Sequence, residues 1–258
     1  MCADALTVSA ELCKALLQKG LQIPVVAFDE IDSTNSYAKK MAQRGEPCAL
    51  VVAMGQTQGR GRMGRTFYSP AGSGLYFSLL YTLDTPMCNA VSLTCAAAVA
   101  VRRAVDRVCH RQTDIKWVND LYYKGKKVCG VLAESVLSLP DRPSLVIGIG
   151  LNLRTAEFPP DLADIAGTLG ADEADASELI AAVVEELMPH LQNPASRAWI
   201  DDYRAFSCVL GKRVRWISGG ESAEGVAEEI EGDGALVVRA DCGERIALRT
   251  GEITLRLC

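Results

Sequence analysis

The sequence predicts an α+β fold of 258 residues that ends in a small β-barrel. Three observations predict it. Segments of helical period are interspersed with short apolar strand runs as far as Phe206. From Gly211 onward only short strands separated by glycine remain, five of them in about fifty residues. Hydrophobic residues make up 49 % and charged residues 23 % of the chain, the profile of a globular protein with a good core. The length suits one large domain or one domain with a small appendage.

In order, Ala5 to Lys19 has helical spacing, with Leu6, Leu12, Leu16 and Leu17 recurring on one side. Pro24 ends it, and Val25 to Phe28 reads as a buried strand. Asp29 to Asn35 is a polar turn in which Ser33 or Asp32 caps a helix running to about Arg44. Leu50 to Ala53 is an interior strand and Leu75 to Leu83 another. Asn89 to His110 is a long, largely apolar helix, expected to be the main interior one. Thr113 to Val118 is a short strand that Asn119-Asp120 breaks. Tyr122 to Lys127 suggests a hairpin around Gly125. Val128 to Val136 and Leu145 to Leu153 are strands separated by the turn Pro140-Asp141-Arg142-Pro143. Glu157 to Asp175 is acidic and is expected to form surface turns with a short helix. Ser177 to Leu191 is an amphipathic helix, and Ala198 to Phe206 continues helical. The barrel strands are Arg213 to Ile217, Ser222 to Glu229, Ala235 to Arg239, Arg245 to Leu248 and Ile253 to Leu257.

The net charge of −5 argues against general nucleic-acid binding. Ten cysteines occur without a C-x-x-C pair or a His/Cys cluster. No charged start followed by an apolar run marks a secretion signal, so the cysteines read as reduced, small hydrophobes in a cytoplasmic protein. The longest apolar run, near Ala90 to Val101, is too short to span a bilayer.

Four stretches stand out. Gly59-Arg60-Gly61-Arg62-Met63-Gly64-Arg65 alternates glycines with arginines, and no Asp or Glu occurs from Pro47 to Leu83. Either a distant carboxylate or an anionic ligand must neutralise these planar cations. The stretch is neither a P-loop nor a dinucleotide fingerprint. A solvated flexible loop and an RGG-like RNA-binding segment are the alternatives. In Asp114-Ile115-Lys116-Trp117-Val118-Asn119-Asp120-Leu121, strand alternation puts Asp114 and Lys116 on one face and Ile115 and Trp117 on the other. A surface ion pair worth under about 1 kcal/mol is the plain alternative there. Gly148-Ile149-Gly150-Leu151-Asn152 places glycines inside a strand, marking close approach of another body or a bulge. Ser33-Thr34-Asn35 either caps a helix or binds a ligand.

Taken in chain order, Ser33-Thr34-Asn35, then Gln56 with the Gly/Arg stretch, then Lys116 to Leu121, then Lys127-Val128-Cys129-Gly130-Val131-Leu132-Ala133-Glu134, then Gly148 to Asn152, the motifs resemble those of biotin protein ligases. The match runs from about Phe28 to Leu257 and includes Gly251-Glu252-Ile253-Thr254-Leu255-Arg256. The resemblance implies a catalytic domain with a mixed sheet, related to class II aminoacyl-tRNA synthetases, followed by an SH3-like barrel. The expected division is a helical lead-in over 1–27, a biotin/ATP-binding domain over 28–206 and the barrel over 207–258. It implies ATP-dependent formation of biotinyl-5′-AMP and transfer of biotin to a lysine of a biotin carboxyl carrier domain, with Mg2+ accompanying ATP and the metal ligands unknown.

Carried over residue by residue, Ser33, Thr34, Asn35, Gln56, Gly59, Arg60, Gly61, Arg62 and Lys116 would contact biotin, and Leu121, Gly148 and Gly150 would line its pocket. Arg62, Arg65, Phe67, Lys116, Asn119 and Asn152 would hold ATP or the adenylate, with Arg62 and Lys116 the catalytic pair. Met63 stands where many relatives carry a basic or polar residue, Phe67 replaces a frequent Trp, and Val118 replaces a usual Pro, which is expected to loosen one backbone constraint. The nearest enzyme alternative is a lipoate-type ligase of the same fold; from another class, a non-catalytic biotin-binding regulator. About twenty residues before the first strand are too few for a DNA-binding helix-turn-helix, so no specific DNA binding is expected. No membrane partner is expected either. A homodimer through sheet edges is suggested by the resemblance, and the barrel is expected to help hold ATP or the carrier.

Overall fold

The computed structural model describes residues 4–83, 90–139, 142–154, 157–218, 221–249 and 252–255. Asn89, Pro140, Asp141, Gly251, Arg256 and Leu257, each part of an expected element or motif, lie outside them. The elements run α1 (Ala5–Gln18), β1 (Val25–Ile31), α2 (Thr34–Gln43), β2 (Cys48–Gln56), β3 (Gly74–Thr82), α3 (Ala90–Cys109), β4 (Asp114–Lys116), β5 (Asp120–Tyr123), β6 (Lys126–Leu139), β7 (Arg142–Asn152), α4 (Ala176–Gln192), α5 (Ile200–Ala205), then β8 (Arg213–Ser218), β9 (Glu221–Ile230), β10 (Leu236–Ala240), β11 (Arg245–Leu248) and β12 (Glu252–Leu255).

Strands β1 to β7 form one mixed sheet in the order β1-β2-β3-β7-β6-β5-β4, with β1 and β2 parallel and every other pair antiparallel. The parallel pair needs a crossover, which α2 supplies. Lys124 and Gly125, at φ 50 and 78, make the tight turn between β5 and β6. Alternation along the strands sorts the sheet into two faces. Leu50, Val52, Leu79, Leu145 and Ile147 enter the large core with α1, α3 and α4. Their neighbours Ala49, Val51, Leu80 and Val146 pack under Ala38, Met41 and Ala42 of α2. The α2 face is the thinner side, and beyond the end of α2 it is left for the site.

Two expectations need correcting. In α1 the buried stripe is Val8, Leu12, Ala15 and Leu16, whereas Leu6 and Leu17 are exposed. A stripe at i, i+4, i+7 and i+8 leaves both of those leucines roughly a quarter-turn or more away. The acidic stretch after Glu157 contains turns but no helix among its described residues. Leu162 and Ala163 both donate to Pro159 O, and Ile165 and Ala166 to Leu162 O, successive turns that do not merge into a helix.

Strands β8 to β12 form a five-stranded antiparallel sheet in the order β11-β10-β9-β8-β12. Its β9–β10 turn docks on the larger unit. Trp117 Nε1 donates to Gly234 O (2.9 Å), Ser92 Oγ to Asp233 O (2.9 Å), and Arg204 twice to Ile230 O (2.9 and 2.7 Å). Truncation after Phe206 would remove these four hydrogen bonds and uncover the apolar surface around Trp117. A markedly lower Tm in thermal unfolding is the expected result.

Candidate active site

The segment after β2 that carries the Gly/Arg motif is an ordered hairpin. Phe67 N donates to Gly59 O (2.9 Å) and Gly61 N to Arg65 O (2.7 Å), and Arg60 and Thr66 form a β-bridge. A single 3-10 turn, Arg62–Gly64, makes the tip. Met63 and Gly64 both take left-handed backbone there, at φ 55 and 75. That suits glycine and costs the exposed Met63 about 1–2 kcal/mol.

The three arginines have different surroundings. Arg60 Nη2 lies 3.3 Å from Glu134 Oε1, a carboxylate 74 residues away in sequence. Arg62 Nη1 donates to Asn119 Oδ1 (3.1 Å), which clasps the hairpin to the turn after Lys116. Arg65 lines a cavity of ≈ 390 Å³ with Asp32, Ser33, Ser36 and Arg60.

Beneath the hairpin a polar network crosses the α2 face. Ser33 caps α2, its side chain accepting from Ser36 N, so the cap is Ser33 and not Asp32. Thr34 N and Oγ1 donate to Gln56 Oε1 (2.9 and 3.2 Å), Gln56 Nε2 to Ser69 Oγ (3.0 Å), and Ser69 Oγ to Phe67 O (2.9 Å). Ser78 Oγ, fully buried on β3, lies 2.6 Å from Asn35 Oδ1 and 2.8 Å from Thr34 Oγ1. Asn35 Nδ2 donates to Glu134 Oε2 (3.0 Å). Ser78, Ser69 and Glu134 carry no expected role in the sequence reading. Two of them carry a signal in the sequence: Ser78 is the one small polar residue in the apolar run Leu75 to Leu80, and Glu134 closes the motif that begins at Lys127.

Burial opposes ionisation of Glu134. Hydrogen bonds from Lys39 and Asn35 and the charges of Lys39 and Arg60 outweigh it and hold the carboxyl below its ordinary value of 4.5. A depressed folded pKa means the stabilisation is full above that value and is lost as pH falls through the folded one. The stability gap between the wild type and Glu134→Gln, read from denaturant titrations, is therefore expected to be widest near neutrality and to close on acidification.

The strand glycines meet parts of this same chain. A Cβ on Gly148 would fall 2.0 Å from Asn35 Oδ1, and one on Gly150 would fall 2.6 Å from the Phe67 ring. Phe67 also lies against Gly130 and makes an edge contact with Tyr76 (centroids 6.5 Å). The second body expected at these glycines is thus Asn35 and Phe67. Asn152, two residues beyond Gly150 on the same face, donates from Nδ2 to Gly167 O (3.0 Å).

Lys116 pairs across the ladder with Asp120, and Asp120 with Gly130, which puts all three on the α2 face. Its ammonium lies 3.4 Å from Tyr122 Oη. Asp120 Oδ1 is 2.7 Å from Lys127 Nζ. Ile115 and Trp117 face the other way, as expected, and that side is the large core. Leu121 goes with them: it pairs with Cys129 and is fully buried in the large core. The expectation that Leu121 lines a pocket with Gly148 and Gly150 is corrected by strand parity, since Leu121 pairs through Cys129 with Leu151 and faces away from both glycines. Val118 O accepts a hydrogen bond from Tyr203 Oη (3.0 Å) at this position.

Known proteins match this chain along most of its length. The family model for the biotin/lipoate A/B protein ligase family matches residues 27–152, and that for the biotin protein ligase C-terminal domain matches 209–256. The chain is 34 % identical over 228 residues to the bifunctional ligase/repressor of Bacillus spizizenii, covering 83 % of this chain and 69 % of that one. It is 31 % identical over 246 residues to the biotin–[acetyl-CoA-carboxylase] ligase of Mycobacterium tuberculosis, covering 90 % and 88 %. The chain belongs to the biotin protein ligase family. Among solved structures, the biotin protein ligase of Aquifex aeolicus in complex with biotin and ATP superposes with a TM-score of 0.77 at 27 % identity, over 90 % of this chain and 98 % of that one.

In this biotin protein ligase the expected residues fall into groups around the hairpin. Ser33, Gly59, Arg60, Gly61 and Arg65 line the open cavity. Thr34, Asn35 and Gln56 lie in the network below it. Asn119 meets Arg62 on the side of Lys116, and Phe67 sits over Gly150. Leu121 is apart from all of them.

Proposed function

We propose that this chain is a biotin–[biotin carboxyl carrier protein] ligase. The carboxylate of biotin attacks the α-phosphate of ATP, forming biotinyl-5′-AMP and releasing pyrophosphate. The neutral ε-amine of a carrier lysine then attacks the acyl carbon. AMP leaves with the former carboxylate oxygen, and the amine gives up a proton.

The observation that carries this reading is the Arg62–Asn119 hydrogen bond. It brings the cationic hairpin to the same end of the sheet as Lys116. The first step forces two anions together. At 4 Å they repel by about 4 kcal/mol at an effective dielectric near 20. Fixed cations serve that step better than a general acid. In this reading Arg62 holds the phosphate, Lys116 the reacting carboxylate, and Ser33, Thr34, Asn35, Gln56, Arg60 and the backbone at Gly59 and Gly61 the biotin. Arg65, Phe67, Asn119 and Asn152 belong to the nucleotide, with Gly148 and Gly150 as floor. Closure of the hairpin would keep water from the anhydride.

Mg2+ would enter on the ATP phosphates and offset their charge. Among the described residues no three His, Cys, Asp or Glu side chains could hold a metal together, so no protein ligands are assigned to it. The division into 1–27, 28–206 and 207–258 belongs to the same reading, although α1 shares the large core with α3 and α4. No helix among the described residues is long and apolar enough to cross a membrane. A cytoplasmic location, the absence of a specific DNA partner and a homodimer belong to the same reading, and of the three only the homodimer rests on the family resemblance. Light scattering decides the last, and a gel shift showing nanomolar specific affinity would overturn the second.

Incubation with ATP, magnesium and either biotin or lipoate tests the acid. Pyrophosphate release is expected with biotin. Release with lipoate alone would overturn the assignment.

A further inference from the structure

Glu134 is the point where three parts of the site converge. It lies on β6, four residues along the same face from Gly130, with a side chain only 19 % exposed. Oε1 receives Lys39 Nζ (2.6 Å) and Arg60 Nη2 (3.3 Å), and Oε2 receives Asn35 Nδ2 (3.0 Å). Asn35 and Lys39 are one turn apart on α2, and Arg60 is on the hairpin.

A carboxylate only accepts, so it dictates which end of the Asn35 amide faces it. Nδ2 must turn to Glu134, which leaves Oδ1 to Ser78, seated over Gly148. The second oxygen holds the hairpin through Arg60. One side chain thereby fixes an amide under the hairpin and tethers the hairpin above it. We infer that Glu134 is a positioning residue that sets the Asn35 amide for the acid substrate and latches the Gly/Arg hairpin closed over the adenylate. Lys39 is the permanent counter-ion that keeps this carboxylate charged when Arg60 moves.

The inference rests on the proposed ligase reading, and the assay separates the two. Wild-type protein that transfers no biotin to a carrier domain overturns the reading. With wild-type transfer in hand, Glu134→Gln isolates the latch, because its amide keeps the shape and one acceptor but loses the charge. Losing one charge-assisted bond to a half-buried partner predicts a biotin KM raised about tenfold or more. The kcat at saturating biotin and the KM for ATP should stay within about twofold. Without carrier present, biotinyl-AMP should appear in free solution about tenfold faster, since the hairpin opens more often. Glu134→Asp, which keeps the charge, should recover most of both effects.

Unchanged biotin KM and unchanged adenylate retention in Glu134→Gln would overturn the inference. So would parallel losses in kcat and both KM values that Glu134→Asp does not relieve, the pattern of a general structural defect. If Glu134→Gln fails to fold, Arg60→Met breaks the hairpin end of the contact; Arg60 is also assigned to biotin, so the readout is adenylate escape in excess of the loss in biotin affinity. Faster adenylate escape then supports the latch, and wild-type retention overturns it.

Discussion

Lys116→Ala is expected to slow adenylate formation about a thousandfold while weakening biotin binding by less than about tenfold. Lys116 is half-buried on β4 and faces the α2 side, where its ammonium is steadied against Tyr122 Oη. A cation fixed there before reaction needs no reorganisation when charge develops between carboxylate and phosphate. Its benefit therefore falls mainly on the transition state. Ground-state biotin keeps its other partners, among them Asn35 and Gln56 in this reading. Single-turnover pyrophosphate release gives the rate, and calorimetric titration gives the affinity. Equal losses in the two would contradict a transition-state role and favour a plain binding role.

Gly148→Ala is expected to raise the biotin KM about a hundredfold and to destabilise the fold by about 1–3 kcal/mol. The new methyl would stand 2.0 Å from Asn35 Oδ1 and 2.7 Å from Cγ, so the amide must leave its seat. It would then lose both Ser78 and Glu134. Two bonds to buried or half-buried partners go at once, which is why a single methyl should outweigh Glu134→Gln. Gly150→Ala displaces the Phe67 ring instead, with the Cβ at 2.6 Å from the ring. Steady-state kinetics on both variants, with thermal unfolding alongside, separates the amide seat from the aromatic one. A wild-type biotin KM in Gly148→Ala would mean that the position of Asn35 is immaterial.

Much of the fold is legible locally. The Ser33 cap, the Lys124-Gly125 turn and the apolar alternation of β2, β3 and β7 each depend on a few neighbouring residues, and each lies where the sequence puts it. The site is legible only in part. Arg60 has no carboxylate near it in sequence, and its partner Glu134 is brought in by the order β3-β7-β6, which no local pattern encodes. The same holds for Ser78 under Asn35. Strand parity, by contrast, is local: it separates Ile115 and Trp117 from Asp114 and Lys116, and the pairing of Ile115 with Leu121 carries Leu121 to the side of Ile115, which is the large core. Motif resemblance places Leu121 in the pocket, against that parity. The strand glycines were read rightly as marks of close approach, but whether ligand or chain approaches depends on where the hairpin and α2 fold back.

The most direct test of the account is mass spectrometry of a biotin carboxyl carrier domain incubated with this protein, biotin, ATP and magnesium. The account predicts a gain of one biotinyl group on a single lysine, and no gain when ATP is left out. A carrier that stays unmodified while biotinyl-AMP forms, or one that is modified only when lipoate replaces biotin, would contradict it.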